Sequence, residues 1–166
     1  MGKLLLVAVV ALAASACASG SGRPRTGGPG SVPSTANGRA SEAAARGHRI
    51  VAAALDLRGV PYRNGGTDPA GFDCSGLVAF VFRQHGLAVP RQTGDQYAVG
   101  ARVARTDIRP GDLVFFSTVA HGPTHVGIAV DDDEFVHAPS SGGVVRVERL
   151  TLPYWQRRFV GARRLR

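Results

Sequence analysis

Three observations along the chain predict an α+β domain. A helical pattern opens the folded region, an apolar helix follows a lone cysteine near its centre, and short strand patterns fill the second half. Helices first and strands afterwards point to a central helix, headed by that cysteine, packed on an antiparallel β-sheet rather than to alternating βαβ units.

The first residues read as an export signal. Met1-Gly2-Lys3 holds the sole lysine, Leu4 to Ala14 is almost wholly apolar, and Ser15-Ala16 places small residues before Cys17. A basic start, a short apolar run and a small-residue end are the parts of a secretory signal, and the run is too short to span a bilayer. Small residues leading into a cysteine resemble a bacterial lipobox, in which that cysteine is acylated and becomes the mature N-terminus. Residues 1–17 are therefore expected to be a lipoprotein signal peptide with Cys17 as the lipid attachment site. The plain alternative is a signal cut near Ala16, with Cys17 incidental. Ala18 is not the aspartate that marks inner-membrane retention in some Gram-negative bacteria, so an outer-membrane anchor is expected where such a membrane exists.

Residues 18–43 are rich in Gly, Ser, Pro, Thr and Ala, with scattered Arg and hardly a large apolar side chain. Such a segment cannot bury enough surface to offset its ordering entropy, and it is expected to be a flexible tether. Residues 44–166 remain as one domain with a single modest core.

Net charge is +8, from 20 basic side chains of which all but Lys3 are arginine. The arginine bias beside abundant Ala and Gly is read as genome composition, although a basic exported domain favours anionic envelope polymers and membrane surfaces. Nucleic acid is a poor partner, because the arginines are dispersed and no recognition motif is present.

Within the domain, Glu42 to Arg58 has helical spacing, with Val51, Leu55 and alanines forming a stripe that stops at Gly59. Val60 to Gly66 is a turn-rich connection. Asp73 is an N-cap candidate for a helix from Cys74 to His85, apolar nearly all round and stopped by Gly86. The period then changes. Asp112–Phe116, Thr124–Val130, Glu134–Ala138, Val144–Glu148 and Phe159–Leu165 read as strands, and Asp131-Asp132-Asp133 reads as a turn.

With Cys17 assigned to the lipid, Cys74 has no thiol to pair with, which is unusual in an exported protein. At the first turn of its helix the sulfur would sit in the positive end of the helix dipole, a setting that lowers a thiol pKa. The alternative is a buried structural cysteine. Strand geometry supplies a partner. A three-residue loop at Asp131–Asp133 sets Val130 opposite Glu134 and Gly127 opposite His137, which puts His125 and His137 diagonally adjacent on one face. A loop of even length would put them on opposite faces. On one face, His125 can serve Cys74 as general base and His137 can hold the His125 ring.

These residues stand in a longer series. Pro61-Tyr62-Arg63-Asn64-Gly65-Gly66 and Phe72-Asp73-Cys74-Ser75-Gly76-Leu77-Val78 are followed by Pro90-Arg91-Gln92-Thr93 and Pro110-Gly111-Asp112-Leu113-Val114-Phe115-Phe116. Then come His125-Val126-Gly127-Ile128, Phe135-Val136-His137-Ala138-Pro139, Tyr154-Trp155 and Arg158-Phe159-Val160-Gly161-Ala162-Arg163-Arg164. From about Ala44 onward the series resembles the NlpC/P60 cysteine peptidases in order and spacing.

The resemblance implies a papain-like α+β fold and a hydrolase of peptidoglycan stem peptides, with γ-D-glutamyl–diaminopimelate (or lysine) as the bond cut. It implies Cys74 as nucleophile, His125 as base and His137 as the orienting residue. Tyr62 matches the tyrosine beside the nucleophile, where it shapes the site or stabilises the oxyanion, with the Cys74 N–H as a second donor. Asp73 and Ser75 are expected to cap the helix and support the site, and Arg91 and Gln96 to border the substrate groove. No metal or organic cofactor is required, and a protein regulator is left open.

Rival readings have their own features. His121, four residues before His125, would make a zinc face with Cys74 if that segment were helical, but Gly122-Pro123 opposes a helix. A non-catalytic peptidoglycan-binding lipoprotein and a thiol amidase or acyltransferase on another substrate fit the same fold.

Overall fold

The computed structural model describes residues 35–140 and 143–166. The expected signal peptide, the lipid site at Cys17 and most of the expected tether lie outside the described residues.

Helix α1 runs from Thr35 to Leu55. It therefore takes in residues 35–43, which composition assigned to the tether. Arg39, Ala40, Glu42 and the alanines at 43–45 carry high helix propensity there, so the Gly, Ser and Pro bias of the tether ends earlier than expected. Residues 37–45 are exposed, while Gly47, Ile50, Val51 and Ala54 form the buried face at helical spacing. Gly47 is where the turn at Pro110–Gly111 crosses the helix, and a Cβ at Gly47 would overlap the Pro110 carbonyl oxygen. The helix stops at Leu55, earlier than its pattern suggested. Leu57 and Arg58 take up the tighter bonds N–H to Ala54 O and Leu55 O, and Gly59 turns the chain at φ 86°.

A short pair, β1 (Thr67–Asp68) with β2 (Gly71–Phe72), delivers the chain to Asp73. Helix α2 spans Cys74–Gln84. Asp73 adopts extended φ/ψ and accepts the Gly76 N–H, as an N-cap must, and Gly86 at φ 74° ends the helix. Leu77, Val78, Val81 and Phe82 are buried on it, so the central apolar helix is as its sequence pattern indicated.

Two elements without a readable pattern follow: α3 (Thr93–Ala98) and β3 (Ala101–Val103). The remainder is β4 (Leu113–Phe116), β5 (His125–Ala129), β6 (Glu134–His137), β7 (Arg146–Arg149), α4 (Pro153–Gln156) and β8 (Phe159–Arg164). β3 to β8 make one antiparallel sheet in the order β3-β8-β4-β5-β6-β7.

Strand alternation divides the core between the two faces of this sheet. Leu113, Phe115, Val126, Ile128 and Val136 pack with α1 and α2 around Phe72, Leu77, Val81 and Phe82. Val114, Phe116, Phe135 and Ala162 turn the other way, under Trp155, Ile108 and Leu150. Each fully buried side chain of this size contributes roughly 1.5–3 kcal/mol over its exposed state. Arg164 grips the buried Asp112 through both carboxylate oxygens at 2.7 Å, which ties β8 to the start of β4.

Candidate active site

The register of the β5–β6 hairpin decides the site. Ile128 pairs with Val136 and Ala129 with Phe135, and the Val130 N–H donates to Glu134 O, so the acidic loop is three residues long. His125 and His137 accordingly share a face. His125 Nε2 lies 2.7 Å from His137 Nδ1, and both rings are buried. Trp155 covers them: it stacks on His125 with centroids 5.5 Å apart and meets His137 edge-on at 5.1 Å.

Cys74 heads α2, which packs against β5. The β5–β6 ladder is confined to residues 128–129 and 135–136, and nearer the site the Val126 N–H is directed at the Cys74 thiol. Cys74 Sγ also lies 3.7 Å from Thr93 Oγ1. The thiol thus sits at the helix N-terminus beside the residue that follows His125.

A brace fixes the start of α2. Asp73 Oδ1 accepts the Gly76 N–H at 2.7 Å and Arg91 Nη1 at 3.0 Å, and Oδ2 accepts Arg91 Nη2 at 2.5 Å. Arg91 Nη1 also donates to Ser75 Oγ at 2.8 Å. Gly76 is required because a Cβ there would overlap the Gly66 carbonyl oxygen. Tyr62 lies half-buried beside the thiol; burial and then the negative charges of Cys74 and Asp73 raise its phenol pKa.

Burial pushes the Cys74 thiol up, and Asp73 adds to it; the Thr93 hydroxyl and the N–H groups of Val126 and Ser75 pull the other way. The expected lowering by the helix N-terminus is thus outweighed by desolvation. Burial, then His137, pushes His125 down to about 3. Both groups are thus held toward their neutral forms.

A model of the NlpC/P60 family matches residues 59–164. The chain belongs to the NlpC/P60 family. It is 44% identical over 118 residues to "Murein DD-endopeptidase MepS/Murein LD-carboxypeptidase" of Escherichia coli K12, covering 70% of this chain and 62% of that protein. It is 35% identical over 138 residues to "Gamma-DL-glutamyl hydrolase" of Bacillus subtilis 168, covering 81% of this chain and 33% of that one. Among solved structures, the NlpC/P60 domain of the peptidoglycan hydrolase SagA superposes with a TM-score of 0.64 at 33% identity, over 72% of this chain and 98% of that domain. The α+β papain-like fold expected from the sequence is the NlpC/P60 fold.

The NlpC/P60 domain departs from the sequence reading at one site position. Gln96 was expected to border the substrate groove, yet it is fully buried: its Nε2 donates to Ser75 O at 3.0 Å and Pro90 O at 2.8 Å. It is a strut between α3 and the start of α2. Arg91, expected at the same border, has its guanidinium engaged by Asp73 and Ser75, with part of it still open to solvent. His121 is exposed in the β4–β5 loop, and the segment before His125 is not helical, so the zinc face has no scaffold. Among the described residues no group of three or more His, Cys, Asp or Glu is arranged to hold a metal ion.

Three participants were not singled out from sequence. Thr93 lies beside the thiol, Trp155 covers both imidazoles, and Glu148 faces His137. Trp155 carried a signal, being the sole tryptophan of the chain. Glu148 carried none, because its face follows from the pairing Phe135↔Glu148 across a connection whose length fixes no register.

Proposed function

We propose that this domain is a cysteine peptidase that hydrolyses peptidoglycan stem peptides, with Cys74 as nucleophile, His125 as general base and His137 as the residue orienting it. The observation that carries the reading is the 2.7 Å contact of His125 Nε2 with His137 Nδ1. It leaves His125 Nδ1 as the ring nitrogen available to the thiol at the head of α2. In the first step the Sγ proton passes to His125 Nδ1 while the sulfur adds to the amide carbonyl carbon. The oxyanion is met by the Cys74 N–H and the Tyr62 hydroxyl. His125 then returns the proton to the leaving amine nitrogen as the C–N bond breaks. Water, deprotonated by His125, releases the acid from the thioester.

The match covers less than two thirds of the Escherichia coli relative, so its printed activity is carried over as a reading of the shared domain. The γ-D-glutamyl bond expected from the family resemblance agrees with the Bacillus relative's name. The more similar Escherichia coli relative favours a second reading, a D,D cross-link or L,D carboxyl-terminal bond. Envelope localisation through acylated Cys17 belongs to the same proposal, supported by Lys3, the apolar run and Ser15-Ala16.

The test is digestion of purified peptidoglycan by the reduced domain and by Cys74→Ala, with fragments identified by mass spectrometry. New termini that vanish in the variant are expected, and their identity names the bond. Cleavage that survives Cys74→Ala would sink the mechanism. Retention of a Cys17→Ala protein in the membrane fraction would sink the anchor.

A further inference from the structure

We infer that Glu148 is a positioning residue of this site, which fixes the His137 tautomer through the carboxylate it presents to Nε2 and so directs the proton path from Cys74 through His125. The inference rests on the proposed roles of Cys74, His125 and His137.

Two imidazole nitrogens 2.7 Å apart share one proton, and the ring that owns it is set by what faces the other nitrogens. If His137 carried its proton on Nδ1, it would donate to His125 Nε2, and His125 would hold its own proton on Nδ1, toward the thiol. Such a ring has no lone pair for the Sγ proton. If His137 carries the proton on Nε2, its Nδ1 accepts from His125 Nε2–H, and the Nδ1 lone pair of His125 is free for Cys74.

His137 Nε2 is buried and has no hydrogen-bond partner. The group that faces it is Glu148 Oε1 at 3.7 Å, beyond a hydrogen bond but close enough, at a buried ring nitrogen, for a carboxylate to favour N–H over a lone pair. The sheet builds this approach: Phe135↔Glu148 and His137↔Arg146 are opposed pairs, so Glu148 and His137 share the Trp155 face.

Glu148 is itself held. Its Oε2 accepts the Trp155 indole N–H, and its Oε1 accepts Arg146 Nε at 2.5 Å. Those bonds leave one carboxylate fixing both the tautomer of His137 and the indole that lies on His125. His137, then Trp155 and Arg146, hold its carboxyl down to about 2, so it stays ionised at neutral pH. Arg146 faces the same oxygen and tempers its field, while Asp73 and Arg91 are the charges nearest the thiol. No proton is transferred to Glu148. Its charge favours the imidazolium formed at His125 when sulfur attacks.

The experiment reads the tautomer directly, by long-range 15N–1H NMR of the imidazoles in the full chain, for wild type, Glu148→Gln and Glu148→Asp. His137 is expected with its proton on Nε2 in wild type. Mixed tautomers and a roughly 10- to 100-fold lower kcat at unchanged KM are expected in Glu148→Gln, with partial recovery in Glu148→Asp. His137 protonated on Nδ1 in wild type overturns the inference, and so does a Glu148→Gln protein with unchanged tautomers and kcat. The wild-type spectrum decides even if a variant does not fold. A wild-type protein with the expected tautomer but no peptidoglycan cleavage refutes the proposed function alone.

Discussion

Arg91 binds both oxygens of Asp73 while one of those oxygens caps the helix that carries Cys74. The same guanidinium reaches Ser75 Oγ, so one arginine from the loop before α3 clamps the residues on both sides of Cys74. Asp73 is well covered and Arg91 only partly, with exposures of 13% and 36%. The pair belongs between a surface ion pair and a buried one, where solvent screening trims its strength.

Capping and clamping can be separated at this position. Asp73→Asn keeps an N-cap acceptor but loses the charge, whereas Asp73→Ala loses both. Urea unfolding should show Asp73→Ala less stable than Asp73→Asn by about 1 kcal/mol. Arg91→Lys should not restore the wild-type value, since an ammonium cannot match the two-oxygen geometry. Equal stabilities for the two Asp73 variants would show that the cap contributes nothing.

Cys74 should depend on His125 for its reactivity at neutral pH. Burial raises the thiol pKa by more than the Thr93 hydroxyl and the N–H groups of Val126 and Ser75 take back, and the proposed mechanism has a developing imidazolium at His125 supply the rest. Iodoacetamide alkylation at pH 7 should slow by roughly 10-fold or more in His125→Ala and recover only in alkaline solution. Unchanged alkylation rates in His125→Ala would mean that the helix N-terminus alone activates the thiol.

Acid should destabilise the domain before the carboxylates titrate. His125 is held at about 3 against an ordinary 6.5. As pH falls through that interval the unfolded chain takes up a proton that the native site refuses, so stability is full above 6.5 and declines toward 3. Glu148, held at about 2 against 4.5, adds a loss at the lower end of the scale. Melting temperature should drop between pH 6.5 and 4 in wild type and less in His125→Gln, where His137, which burial also holds below 6.5, keeps the remainder. A flat profile across that interval would show that His125 is protonated freely in the native state.

Gly76→Ala should damage the fold rather than the chemistry alone. The added methyl would overlap the Gly66 carbonyl oxygen and crowd Asp73 Oδ1, and backbone cannot yield as a side-chain tip can. A loss of at least ~1–3 kcal/mol is expected in thermal unfolding. A melting temperature equal to wild type would mean that the Gly65-Gly66 turn shifts freely.

By itself the sequence determined the elements whose pattern is local. The capped helix at Cys74 and the strands at 113–116, 125–129 and 134–137 follow from periodicity, while the shared face of His125 and His137 followed only on condition of the three-residue loop that the structure shows. Its series of motifs also carried the family. Periodicity was silent on α3 and β3, at six and three residues too short to show a period, and on the start of α1, where the composition of a tether runs into helix-forming alanines.

The tertiary structure decided what surrounds those residues. Gln96 moved from groove to strut because three-dimensional packing seals it beneath α2. The thiol pKa went up rather than down because burial exceeds the pull of the Thr93 hydroxyl and the N–H groups of Val126 and Ser75. Glu148 reaches His137 only through the β6–β7 register, and Trp155 reaches both rings only once α4 closes over the sheet. Burial and long-range register are properties of the packed chain, and no window of residues contains them.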